Sequence, residues 1–104
     1  MTTGSVSVAH SVVARMVRRA AVAAPGIVRV GRGGPRLLAR LGPPAVIVRE
    51  REDGLHIRIT VVARPGHDLR VVARDTREAV AATVERLLGL VLAEVTVVID
   101  GVGE

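Results

Sequence analysis

Between Ala45 and Ala63 apolar and polar residues alternate with a period of two on both sides of Asp53-Gly54. Such alternation predicts half-buried strands, and Asp-Gly between them predicts a hairpin closed by a type I′ turn. A two-residue Asp53-Gly54 loop would pair Glu52 with Leu55, Arg49 with Arg58, Val48 with Ile59 and Val46 with Val61. One face of the ribbon would then carry Val46, Val48, Leu55, Ile57, Ile59 and Val61. The other would carry Ile47, Arg49, Arg51, His56, Arg58 and Thr60. The first face needs a cover, and the flanking segments supply it.

Upstream, Val12, Val13, Met16, Val17, Ala20 and Ala24 recur at helical spacing, with Arg15, Arg18, Arg19 and Val22 on the opposite stripe. This predicts a helix over roughly 9–23, stopped by Pro25-Gly26. Val6-Ser7-Val8 before it reads as a short strand, and residues 1–5 as a disordered tail. Ile27, Val28 and Val30 suggest another brief strand. Gly31 to Pro44 is a Gly/Pro-punctuated excursion containing one amphipathic turn, Leu37, Leu38 and Leu41, flanked by Arg36 and Arg40.

Downstream, Asp68 is placed as the N-cap of a helix over about 69–88. Its stripe runs Leu69, Val72, Ala73, Thr76, Ala79, Val80, Thr83, Val84, Leu87 and Leu88, with Gly89 as the C-terminal stop. A last strand, Glu94 to Asp100, alternates Val95, Val97 and Ile99 against Glu94, Thr96, Val98 and Asp100. The order β-α-(β)-β-β-α-β predicts an α/β (α+β) two-layer sandwich over residues 6–102, a mixed sheet with two helices on one face. Val80, Val84 and Leu87 are expected at the centre of the helix–sheet contact.

Composition sharpens this picture at two points. The 104 residues contain no Phe, Tyr, Trp or Cys, so the core must be built from 21 Val, 14 Ala, 9 Leu and 5 Ile. Disulfides and thiolate chemistry are excluded. Arginine is used to the exclusion of lysine, and residues 1–49 hold eight arginines and no acid, whereas residues 50–104 hold seven arginines and ten acids. This polarity suggests a basic surface, formed by Arg15, Arg18, Arg19, Arg36, Arg40, Arg49 and Arg58, that meets anionic lipid, nucleic acid or an acidic partner. The alternative is that these arginines form only a solvated surface.

No catalytic constellation emerges from the residues. His10, His56 and His67 lack the spacing of a metal site. Ser5, Ser7 and Ser11 lack a nucleophile elbow. The acids Glu50, Glu52 and Asp53 crowd an exposed turn rather than a walled cleft. A phosphate loop at Gly31-Arg32-Gly33-Gly34 would want a strand before it, a helix after it and a Lys-Ser/Thr pair, none of which is secure here. The absence of aromatics removes the usual stacking platforms for single-stranded nucleic acid. A small basic nucleic-acid-binding module therefore remains the alternative function, resting on arginine polarity alone. Met1 to Ala9 carries neither a basic leader nor a continuous apolar run, so no secretory signal is expected.

Several stretches resemble a known family. Val6-Ser7-Val8 followed by an Ala/Val-rich helix ending in Ala24-Pro25-Gly26-Ile27-Val28 is similar to its opening. Leu55 to Ala63, Pro65-Gly66-His67-Asp68-Leu69, Val80 to Glu85 and Gly89-Leu90 followed by Val95 to Ile99 are similar to its second half. In order and spacing these resemble the alkaline shock protein family of bacterial envelope stress response proteins. The resemblance implies a non-enzymatic cytoplasmic protein without cofactors, peripheral at the inner face of the membrane. It would be held there by a small membrane-anchored partner protein and would form a homo-oligomer. It transfers no catalytic residues.

The residues suggest where self-association would occur. On the face away from the helices, Ala45, Ile47, Thr60 and Val62, with Val98 alongside, form an expected apolar patch. Arg49 and Arg58, expected to repel each other across the strands, would be relieved by Glu94 or Asp100 of a second chain. Weak contact of the basic surface with anionic lipid is a further expectation, with nucleic acid the less favoured partner.

Overall fold

The structure, a computed structural model, describes residues 3–34 and 42–103. It comprises α1 (Thr3–Val22), β1 (Ile27–Val30), β2 (Val46–Arg51), β3 (Gly54–Ala63), α2 (Leu69–Ala82), a π-helical turn (Thr83–Leu87) and β4 (Leu92–Val102). One mixed four-stranded sheet carries both helices on the same face. β3 is its centre. Along one edge β3 pairs antiparallel with β2 through its first half and with β1 through its second. Thr60 marks the changeover: its N–H donates to Ala45 O at 2.9 Å and its carbonyl accepts from Gly31 N–H at 2.8 Å. Along the other edge β3 pairs with β4 in parallel, the geometry a strand–helix–strand crossover through α2 requires.

The face pattern of the hairpin is as the alternation predicts, but its register is displaced by two residues. Val46 lies opposite Ile59, Val48 opposite Ile57, Arg49 opposite His56 and Ile47 opposite Arg58. The turn falls on Glu52-Asp53, and Gly54 becomes a strand residue opposite Arg51. Among the described residues no non-glycine residue has a positive φ, whereas Gly54 has φ 128°. A type I′ turn needs positive φ at both central residues, so Asp53 cannot serve as one. A Cβ on Gly54 would also press on the Val91 carbonyl, which accepts the Leu55 N–H at 2.9 Å. A slip of two preserves which side chains share a face and changes only their partners.

The core forms between that face and the helices. Val13, Val17, Ala21 and Ala24 of α1 and the turn after it, then Val72, Thr76, Val80 and Val84 of α2 and its extension, are buried against Leu55, Ile57, Ile59, Val61 and Ala63 of β3. In both helices the spacing is three or four residues, one face of a 3.6-residue helix. Thr76 is a buried polar side chain, and its hydroxyl donates to Val72 O at 2.7 Å. Asp68 caps α2 by accepting from Arg70 N–H at 2.9 Å.

Four expectations are corrected. Val6-Ser7-Val8 lies inside α1, not in a strand, and Thr3 to Ser5 form the first helical turn rather than a tail. A three-residue alternation is too short to establish a period. Extending the helix gains one hydrogen bond per residue, whereas a lone strand needs a partner. Val12 is exposed, because the buried stripe of α1 passes through Val13 and Val17. Leu87 is 66 % exposed rather than central. The π-helical turn widens the spiral after Ala82, so Leu88, not Leu87, packs against the core. The Leu37, Leu38 and Leu41 turn, with Met1 and Thr2, lies outside the described residues.

Replacing Ile59, fully buried in β3, by Ala should cost about 2–5 kcal/mol of stability. Leu87→Ala should cost under ~1 kcal/mol. Chemical denaturation of the two variants checks this; equal losses would contradict the inward turn of Leu88.

Candidate interaction surface

Strand alternation aims a second set of side chains away from the helices. Across this open face β2 contributes Ile47, Arg49 and Arg51; β3 contributes His56, Arg58, Thr60 and Val62; β4 contributes Glu94, Thr96, Val98 and Asp100. The β2 column is basic and the β4 column is acidic. Arg49, Arg51 and Arg58 make no ion pair among the described residues.

His56 ties the turn end of this face together. Its Nε2 lies 2.8 Å from Asp53 Oδ1 and its Nδ1 3.2 Å from Glu94 Oε1, so one ring links the hairpin turn to β4. The Asp53 hydrogen bond, with a smaller contribution from Glu94, raises the His56 pKa above 6.5. The same bond to His56 lowers the Asp53 carboxyl below 3.8. The Glu94 contact was not legible in the sequence, because Glu94 reaches His56 only through the parallel β3–β4 pairing.

At the other end the chain leaving β1 folds back over the sheet. Gly33 N–H donates to Asp100 Oδ2 at 2.9 Å, and a Cβ on Gly33 would run into the Asp100 carbonyl. Beside this contact Arg32, Pro43, Pro44, Ile47, Arg58, Thr60, Val98 and Asp100 line a hollow of about 270 Å³. A second hollow of about 300 Å³ lies between Arg49, Arg51, His56, Arg58, Glu94 and Thr96.

Three of the five expected association residues are thus brought together: Ile47, Thr60 and Val98 share the first hollow. Ala45 is half-buried and packs against the core instead. Val62, opposite Arg29 in the pairing with β1, is only 3 % exposed. It offers no surface. The expected Arg49/Arg58 clash is absent, since the observed register places Arg49 opposite His56 and Arg58 opposite Ile47.

The basic residues do not form one surface. Arg15, Arg18 and Arg19 are exposed on α1, where Arg18 Nη1 donates to Val30 O at 3.3 Å, in the layer opposite Arg49 and Arg58. Arg36 and Arg40 lie outside the described residues. Among the described residues no group of three or more His, Asp or Glu side chains is arranged to hold a metal ion, and no helix is long and apolar enough to cross a membrane.

A model of the alkaline shock protein family, described as having a cell envelope-related function, matches residues 1–103. The chain belongs to the alkaline shock protein family. Its fold is also found in solved structures of MamM CTD. One variant in a manganese form is 14 % identical, with a TM-score of 0.61 over 88 % of this chain and 96 % of that one. Another is 16 % identical, with a TM-score of 0.55 over 88 % and 95 %. No curated protein matches the sequence. On this alkaline-shock-family domain, then, the sheet face that no described helix covers carries the paired His56 cluster and a hollow of mixed apolar and charged lining.

The sign of the His56 shift fixes a pH dependence. A pKa raised in the folded state contributes stability that is complete below about 6.5 and is lost as pH rises through the higher folded value. An NMR titration should place the His56 midpoint above 6.5, and Asp53→Asn should move it back toward that value. A midpoint unchanged by Asp53→Asn would contradict the 2.8 Å contact.

Proposed function

We propose that this domain is a non-catalytic interaction module of the cell envelope that self-associates through the bare side of its sheet. In this reading it sits on the cytoplasmic side of the membrane, held at the inner face by a small membrane-anchored partner. The observation that carries the proposal is the open face. Half-buried Ile47, Thr60 and Val98 surround a hollow beside arginines that make no ion pair among the described residues. Apolar surface of this kind, rimmed by charge, is the usual mark of a protein contact. The family's envelope-related description supports the setting.

Split between two layers, the described arginines make no continuous track for a nucleic-acid backbone, which disfavours the alternative module. Arg15 and Arg19, on the outer face of α1 with exposed Val12 and Val22, suit only weak contact with anionic lipid. Basic side chains contribute ~1 kcal/mol each at such a surface, too little for stable anchoring without a partner. Co-sedimentation with anionic vesicles should fall steeply as salt rises; binding indifferent to salt would contradict this.

Sedimentation velocity at tens of micromolar tests the main proposal. The parent chain should run above the monomer mass. The double variant Ile47→Lys, Val98→Lys should run as a monomer with unchanged circular dichroism. A monomeric parent, or a double variant that associates like the parent, would overturn the proposal.

A further inference from the structure

Among the described residues no further strand pairs with either edge of the sheet, and the two edges differ. On the β1/β2 side the strands are short, four and six residues. They are broken by a bulge between Ile27 and Arg29, preceded by Pro43-Pro44 and studded with arginine. These are the devices that keep an edge from pairing indiscriminately. β4 is eleven residues long, and from Leu87 to the end of the sequence no Lys, Arg or Pro occurs. Val95, Val97, Val98 and Ile99 are only half-buried along it.

The main-chain groups at each edge follow from the pairing. Ala45 O faces Thr60, so Ile47, Arg49 and Arg51 turn their amides toward β3, and Val46, Val48 and Glu50 turn theirs outward. In the parallel pair, Leu55 N–H donates to Val91 O and Gly103 N–H to Ala63 O. In the register between them Glu94, Thr96, Val98 and Asp100 face β3, and Val95, Val97 and Ile99 face outward. Each edge thus presents three consecutive outward amides on alternate residues.

Resting on the self-association reading above, we propose that β4 of one copy pairs antiparallel with β2 of a second copy, so that one sheet continues through both with the helices on the same side. β4 runs parallel to β3 and β2 antiparallel to it, so a copy placed alongside in the same orientation presents the required antiparallel strand. With Val95, Val97 and Ile99 facing Glu50, Val48 and Val46 of the second copy, every outward amide finds a partner. On the open face Glu94 then lies opposite Arg51, Thr96 opposite Arg49, and Val98 opposite Ile47. Acid meets base and apolar meets apolar, pairings that stabilise a sheet. The acidic column of β4 supplies what the unpaired arginines of β2 lack. Because the contact is head-to-tail, each added copy leaves one edge of each kind free.

Charge exchange measured by sedimentation tests the register. Glu94→Arg and Arg51→Glu should each raise the apparent dissociation constant about tenfold, since a favourable cross-strand pair becomes a repulsive one. Mixing the two variants should restore assembly, because both kinds of contact between them are again complementary. Val97→Pro should also dissociate the assembly, because it removes an outward N–H that β3 does not use. If Val97→Pro does not fold, the mixing result decides. Association unaffected by either charge variant, or a mixture of folded variants that stays dissociated, would overturn edge pairing while leaving self-association standing. A parent chain that is monomeric at the same concentrations would overturn both.

Discussion

Every element of this domain is placed by β3, the strand bonded along both edges. Its inward residues Leu55, Ile57, Ile59, Val61 and Ala63 are buried, and both helices turn their apolar stripes onto them. With no aromatic side chain to fill space, the contact relies on β-branched and small residues close together. Each contributes roughly 1.5–3 kcal/mol or less when buried. Ala21 and Ala24 are part of that core, where small side chains let α1 approach the sheet closely. With both helices on one side of the sheet, no helix among the described residues covers the opposite face, which carries polar and half-buried groups.

That face is where we propose function resides. The outward side chains of β2, β3 and β4 are ordered by strand into basic, mixed and acidic columns, and His56 joins the last two. The charge separation, and the hollow where Ile47 and Val98 lie beside Arg58 and Asp100, suit the proposed contact with another protein surface. The arginines of α1 lie in the opposite layer, so the chain's strong basic character is divided between two faces with different neighbours.

Much of this was legible in the sequence alone. Period-two alternation assigned the side chains from Val46 to Arg51 and from Leu55 to Val61 to their correct faces, because that property survives a register slip of two, whereas Ala45 turned to the core. The partners were not legible: they depend on where the turn closes, and positive φ at Gly54 alone moved it one residue earlier. The helical stripe of α2 was correct from Val72 through Val84; Leu69, in the first turn, is exposed, and the stripe failed at Leu87, where the wider π-helical turn changes the angular step. Val62 alternates as an outward residue and is buried all the same, and the fold-back that joins Gly33 to Asp100, a separation of 67 positions, leaves no periodic trace. The His56–Glu94 contact was hidden for a similar reason, its partners being joined only by the crossover through α2.

Residue-resolved NMR on dilution tests the central claim, that the bare side of the sheet is the working surface of the domain. Between millimolar and micromolar concentration, shift changes should be confined to β2, β4 and the Ile47, Thr60 and Val98 side chains, with Val17, Ile57 and Ile59 unchanged. Changes centred on the outer faces of α1 and α2, or none anywhere, would contradict it.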